Sequence, residues 1–248
     1  MNETKTLFSV ITVVYNGQLS IGSTIQSVLL QKFENYEYII IDGLSEDNTF
    51  NIINSYLPNS KIKLISEVDS GIYDAMNKGI KMAQGENLIF LNSGDTFFDT
   101  ETLENVSKKI SETEILVGST LYKYKNAVKM VNPYDLKFIK RGMIFNHQSA
   151  FYKRTILKNY PFDLSYPISS VFDQTVKMLK DGITIKQINL PIAIYDPYGV
   201  SSNPISWSKD YLKIIYKHFK FYLPIAIARS IYRNLIHVIN YYRNSNLQ

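Results

Sequence analysis

The residues that could do chemistry in this sequence are carboxylates set at the ends of apolar runs. Asn87-Leu-Ile-Phe-Leu91 is followed at once by Asn92, Ser93, Gly94 and Asp95. Such a turn fixes a carboxylate beside a glycine that lets a ligand come close to the backbone. A cation bridging phosphates is one candidate for that ligand. Tyr38–Ile41 ends at Asp42-Gly43, Lys63–Ser66 leads to Asp69-Ser70-Gly71, and Leu7–Tyr15 runs into Asn16-Gly17. A further acid, Asp173, stands near the start of a helical stretch over Phe172–Leu179.

These carboxylates need elements to hold them. Ile72, Ala75, Met76, Gly79, Ile80 and Ala83 fall at offsets 0, 3, 4, 7, 8 and 11, one face of a helix with a 3.6-residue period. Ile21, Ile25, Val28 and Leu29 share another helical face, and a third helix is expected near Thr49–Tyr56. The four apolar runs are short and near-continuous, as in strands buried on both faces. Residues 7–91 therefore read β-α-β-α-β-α-β, which implies a parallel sheet with right-handed crossovers. Ligands of such sheets bind outside the carboxyl ends of the strands, where all four polar turns lie.

After Asp99 the pattern loosens. Glu101–Ser111 reads as helix, Ile115–Gly118 as strand and Lys123–Val131 as an edge or hairpin strand. Ile183–Ile194 reads as a strand whose Pro191 places it at an edge or at its end. Tyr195–Ser202 is a turn-rich loop. From Trp207 onward seven Lys and Arg residues face one acid, Asp210, in what read as two helices broken near Pro224.

The chain has 248 residues, 45% of them hydrophobic and 20% charged, which suits a globular protein with a sizeable core. It has no cysteine, which excludes disulfides and thiolate metal sites. Neither a signal peptide nor a membrane-spanning run is expected. The net charge of +5 is mild and concentrated in the tail. No nucleic-acid-binding motif accompanies it, so a nucleic-acid partner is not expected. The tail reads either as a solvated face packed on the main domain or as a basic amphipathic segment docking at an anionic membrane surface.

Together, Ser9–Asn16, Tyr38–Asp47, Ser66–Lys78, Gly85–Asp95, Asn146–Tyr152 and Gly199–Ser201 resemble family 2 glycosyltransferases of the GT-A fold. The bacterial enzymes of exopolysaccharide, capsule and O-antigen synthesis are the nearest in pattern. The resemblance covers about residues 6–202. It implies an α/β fold with a Rossmann-like, mostly parallel sheet flanked by helices, plus a C-terminal helical extension. The catalytic domain would span 1–204, with a nucleotide-sugar half at about 1–100 and an acceptor half at about 101–204. Residues 205–248 would form the basic aromatic tail.

The activity implied is inverting transfer of a sugar from a nucleotide-diphosphate donor, with UDP the expected nucleotide, assisted by Mn²⁺ or Mg²⁺. The acceptor would be a glycan or lipid-linked saccharide at the cytoplasmic face of a membrane. Asp95 matches the last acid of the family's acidic turn and is the implied metal ligand. Asn92 and Gly94 stand where many relatives carry acids, so His147 is a candidate additional ligand. Asp42 matches the acid that hydrogen-bonds the donor's uracil or ribose, and Tyr15 lies where the base would stack. Asp69 is a candidate for the ribose. Asn16, Asp74, Asn77, Asn92 and Ser93 are further donor-side candidates, and His147, Gln148, Tyr198 and Gly199 are acceptor-side ones. Asp173 occupies the place of the general base, which must take a proton from the attacking hydroxyl.

Each site has a plainer reading. Asp-Gly is an ordinary turn, Asp173 could simply favour a helix dipole, and Asp74 with Lys78 could be a solvated pair. Two other functions compete. One is a catalytically silent, glycan-binding scaffold, kept open by the thinned acidic turn. The other is a sugar nucleotidyltransferase, which lacks its Gly-rich phosphate loop here. A dinucleotide oxidoreductase is excluded, because no G-x-G-x-x-G follows the first strand.

Overall fold

The computed structural model describes residues 5–125, 127–197 and 204–245. Four parallel strands form one half of the sheet: β1 (Phe8–Val14), β2 (Tyr36–Asp42), β3 (Ile62–Ser66) and β4 (Asn87–Phe90), in the order β3-β2-β1-β4. Each crossover carries a helix: α1 (Ile21–Leu29), α2 (Thr49–Asn54) and α3 (Ile72–Met82).

Every residue of β1, β2 and β4 is buried, because helices cover both faces. Alternation along β1 divides the core. Val10 and Val14 pack with Ile21, Ile25 and Val28 of α1. Ile11 and Val13 pack with Met76 and Ile80 of α3 on the other side. Ile72, the first residue of the expected apolar stripe, is instead exposed, while Tyr73 is buried. The Tyr73 hydroxyl donates to the Ile168 carbonyl at 2.7 Å.

The sheet continues antiparallel past β4. β5 (Thr96–Phe97) and α4 (Thr102–Ser107) are followed by the long hairpin of β6 (Ile115–Tyr124) and β7 (Ala127–Val131). β8 (Ala150–Lys153) pairs with both β4 and β6, and α5 (Arg154–Asn159) and α6 (Ser170–Lys180) follow it. β9 (Ile185–Tyr195) runs parallel to β6 and pairs with β5 on its other side. Pro191 thus lies inside a paired strand rather than at an edge. It sits opposite Ser119, where the β6–β9 register shifts, and that irregularity accommodates its missing N–H.

The tail forms α7 (Pro204–His218) and α8 (Leu223–Ser245), broken near Pro224 by a 3₁₀ turn at Lys220–Tyr222. α7 packs Tyr211, Ile214 and Ile215 against Phe172 and Val176 of α6. Among the described residues, no helix is long and apolar enough to cross a membrane.

Candidate functional site

The sharp end of β4 is braced from three directions. Thr24 on α1 donates its hydroxyl to the Asp95 carbonyl at 2.8 Å and accepts from Gly94 N–H at 3.0 Å. Ser93 exchanges a hydroxyl hydrogen bond with Ser20 at 2.8 Å, just before α1 begins. The Asp95 carboxylate accepts from the Asp196 backbone N–H at 3.2 Å and from the Gln148 side chain.

That carboxylate is 4% exposed, and among the described residues no Lys or Arg pairs with it. Burial pushes the Asp95 carboxyl up to about 7, the neighbouring Asp196 charge adds to the rise, and the hydrogen bonds only oppose it. Beside it, Asn92 Oδ1 is buried with no hydrogen-bond partner among the described residues. Asn92 Nδ2 lies 3.3 Å from His147 Nε2. Burial drives the His147 imidazole down to about 4, so it is neutral near pH 7.

Oxygen donors, excess negative potential and an orphaned acceptor are what a hard divalent cation prefers. Among the described residues no three His, Asp or Glu side chains group together. The turn therefore fits a cation held largely by phosphate oxygens and water, rather than by a full protein cage.

A second cluster lies along the same sheet edge, at the ends of β1, β2 and β3. A Cβ on Gly43 would stand 2.6 Å from Asp69 Oδ2 and 3.5 Å from Tyr15 Cβ, so Tyr15 and Asp69 converge over this glycine. Tyr15 is 59% exposed, leaving its ring open to a ligand. Asp42, by contrast, is fully buried. It accepts from Ser45 Oγ at 2.5 Å and Ser66 Oγ at 2.6 Å, and from Ser45 N–H. Asn16 takes a left-handed φ of 51° and accepts from Glu46 N–H at 2.9 Å. Asp42 and Asn16 thus shape the loops that carry Gly43 and Tyr15, and the surface offered to a ligand is that of Tyr15, Gly43 and Asp69.

Three expected sites are placed elsewhere. Asn77 donates to the Phe162 carbonyl and accepts from the Phe162 N–H, both at 2.9 Å, so its amide is fully used holding that loop. Asp74 accepts from Ser70 N–H at 3.0 Å and lies 3.8 Å from Lys78, closing its own turn. Asp173 is fully buried in the first turn of α6, wrapped by cations. Lys177 Nζ is 2.6 Å from Oδ2, close enough to pair though not angled as a hydrogen bond. Lys217 at 3.3 Å and His218 at 2.8 Å reach Oδ1 from α7. Both oxygens are engaged, so the carboxylate as folded presents neither to an acceptor hydroxyl. This corrects the expectation of a base at that position: Asp173 joins α7 to α6. Tyr198 and Gly199 lie outside the described residues.

Sequence reasoning missed Asp196. It lies one residue past β9, and its backbone and side chain abut the Asp95 turn. The signal was there in an aspartate opening a turn-rich loop, but only the β5–β9 pairing brings that loop to β4.

An α/β sheet whose parallel strands end in polar turns along one edge, with a buried acid just past β4, is the arrangement of GT-A glycosyltransferases. Residues 9–172 match the model of Glycosyl transferase family 2, and the chain belongs to that family. It is 28% identical over 219 residues to the "PGL/p-HBAD biosynthesis glycosyltransferase" of Mycobacterium bovis, covering 84% of this chain and 83% of that one. An uncharacterized glycosyltransferase of Haemophilus influenzae is 25% identical over 244 residues, 94% and 96% of the two chains.

Among solved structures, S. aureus TarS 1–349 in complex with UDP-GlcNAc is similar with a TM-score of 0.69 at 19% identity, over 86% of this chain and 67% of that one. The mannosyltransferase PcManGT of Pyrobaculum calidifontis, in complex with GDP-Man and Mn²⁺, gives 0.65 at 16% identity, over 92% and 70%. These two likenesses establish the fold.

Proposed function

We propose that this glycosyltransferase moves a sugar, with inversion, from a UDP donor to a glycan or lipid-linked saccharide at the cytoplasmic face of a membrane. The observation that carries the reading is the buried Asp95 carboxylate, which has no Lys or Arg beside it among the described residues and adjoins Asn92 Oδ1, unmatched among them. Asp95 and Asn92 would hold Mn²⁺ or Mg²⁺ together with the donor's diphosphate. Such a cation neutralises the charge that grows on the leaving diphosphate.

Tyr15 stacks on the uracil, and Asp69 accepts from the ribose. Gly43 keeps the floor between them low. Inversion needs a base on the acceptor's side of the diphosphate, and Asp196 is the carboxylate that abuts the Asp95 turn from the acceptor half. Ile225, Ile227, Ile231, Leu235 and Ile236 leave apolar area exposed on the basic helix α8, which supports contact with a membrane surface.

The test is equilibrium binding of UDP and GDP with and without Mn²⁺, followed by turnover of a panel of UDP-sugars with a lipid-linked acceptor extract. UDP binding that tightens with Mn²⁺, and turnover lost in Asp196→Asn, are the expected results. Absence of UDP binding under any metal condition defeats the reading.

A further inference from the structure

The β6–β7 hairpin, residues 132–134 and 141–146 and the two C-terminal helices line an open cavity of about 420 Å³. That falls within the ~300–1,000 Å³ range of small-molecule sites. One wall is aromatic: Tyr122, Tyr124 and Tyr134 line it. Arg141 and Arg233 also line the cavity, and Lys129 stands on the hairpin. A second cavity of about 250 Å³ shares Arg141 and Arg233 and adds Arg229. No acidic side chain is among the described residues lining either cavity.

The cations are held in place without being neutralised. The Arg233 guanidinium carbon lies 3.7 Å over the Trp207 ring, whose other neighbour is Tyr211, stacked at 4.6 Å. Gly142, at φ 132°, lets this ring sit close, since a Cβ there would come within 3.2 Å of it. Arg233 Nη2 donates to Ser208 Oγ at 3.1 Å, yet its Nε is buried with no hydrogen-bond partner among the described residues. Asn146 shows the same pattern: its Oδ1 accepts from the Tyr122 hydroxyl at 3.0 Å, while its Nδ2 is buried and unmatched. Two buried donors without acceptors are costly unless a ligand supplies the acceptors.

The cavity also communicates with the reaction centre. Asn146 precedes His147, which meets Asn92. Tyr122 packs edge-on against Tyr195 at 5.0 Å, and Asp196 follows directly.

We propose that this cavity is an acceptor subsite for a phosphorylated saccharide, its sugar ring lying against the tyrosines and its phosphate taken by Arg141 and Arg233. Guanidinium groups match phosphate oxygens two at a time, and aromatic faces suit the apolar faces of a sugar. The proposal rests on the glycosyltransferase reading above for its meaning, but binding at the cavity can be measured apart from it.

Trp207 is the chain's single tryptophan and stands under Arg233, so its emission reports on the cavity. The full chain is titrated with glucose 1-phosphate, methyl α-glucoside, inorganic phosphate and phosphatidylglycerol vesicles. A saturable emission change is expected with glucose 1-phosphate, at least tenfold weaker with the neutral glucoside and with phosphate. Arg141→Met and Arg233→Met should each weaken it about tenfold, and Asn146→Ala severalfold. UDP binding should stay unchanged in all three, which also shows that they fold.

Equal binding of the glucoside, equal binding of bare phosphate, or undiminished binding by the variants each overturns the proposal. A response to vesicles with none to glucose 1-phosphate overturns it too, giving the surface to a membrane. Failure of the wild type to bind UDP strikes the donor-site reading instead, and the glucose 1-phosphate titration still decides the cavity.

Discussion

Asp95 and Asp173 are both buried carboxylates near an element boundary, yet their surroundings are opposite. Asp95 has backbone and amide donors but, among the described residues, no cation, and its carboxyl is pushed up to about 7. Asp173 has Lys177, Lys217 and His218 within 3.3 Å. A buried charge costs free energy unless it is matched. At Asp173 the protein supplies the match itself, and the product is a joint between α6 and α7. At Asp95 the match is left to whatever binds. The contrast separates a carboxylate the fold pairs with cations from one it leaves without them among the described residues, although both look alike in sequence.

The largest expected effects come from exchanging each acid for its amide. Asp95→Asn should lower turnover by 100-fold or more, because the charge facing the diphosphate site is gone, while leaving the melting temperature unchanged or raised. Asp173→Asn should do the reverse. Removing one member of a buried ion cluster costs about 3–5 kcal/mol. Partial exposure of Lys177 and Lys217 brings the expectation to about 2–3 kcal/mol, a drop of roughly 4–12 °C for a domain of this size. Thermal melts beside steady-state rates check both. A variant of Asp173 that melts normally but does not turn over would break the comparison.

A pH titration of stability sharpens it. The folded Asp95 binds its proton up to about pH 7, whereas the unfolded carboxylate releases it near its ordinary value of 3.8. The folded state therefore holds more protons between these values, and its stability falls as pH rises from about 4 to about 7. At ~1.4 kcal/mol per pH unit the full span is on the order of 4 kcal/mol. Melting temperature against pH should show this decline in the metal-free protein and lose it in Asp95→Asn. With saturating Mn²⁺ and UDP the proton is displaced and the decline should flatten.

How far the sequence reached follows from what kind of contact is involved. The strands, their order of appearance and the polar turns at their ends were legible because burial on both faces leaves an unbroken apolar run. The same pattern put Asn92, Ser93 and Asp95 just past β4, Tyr15 just past β1 and Asp69 past β3, where they lie. The direction in which a helical side chain points was not legible. Asp173 meets residues of α7 that lie 44 and 45 positions later, in a tail that read as a face packed on the main domain or as a membrane-docking segment, with no partner residue specified. Asn77 is taken by Phe162, 85 positions away. Pro191 was misplaced because the extra residues on β9, where its pairing with β6 shifts, leave no local signature. Asp196 needed the antiparallel β5–β9 pairing, which periodicity does not reveal.

The smallest expected effect belongs to Asp74, and it tests whether proximity in sequence to the donor turn matters at all. Its carboxylate is partly exposed, accepts from Ser70 N–H and sits 3.8 Å from Lys78. Lys78 is already placed by the Val68 carbonyl at 2.7 Å and Glu67 at 3.0 Å, so it does not depend on Asp74. Asp74→Ala should then cost only the local turn bond, about 0.5–1.5 kcal/mol, and change UDP affinity less than twofold. Isothermal titration with UDP beside a thermal melt measures both. A tenfold loss of UDP affinity would mean that a locally satisfied, half-exposed acid also serves the ligand, and burial without a cation would no longer be what distinguishes Asp95.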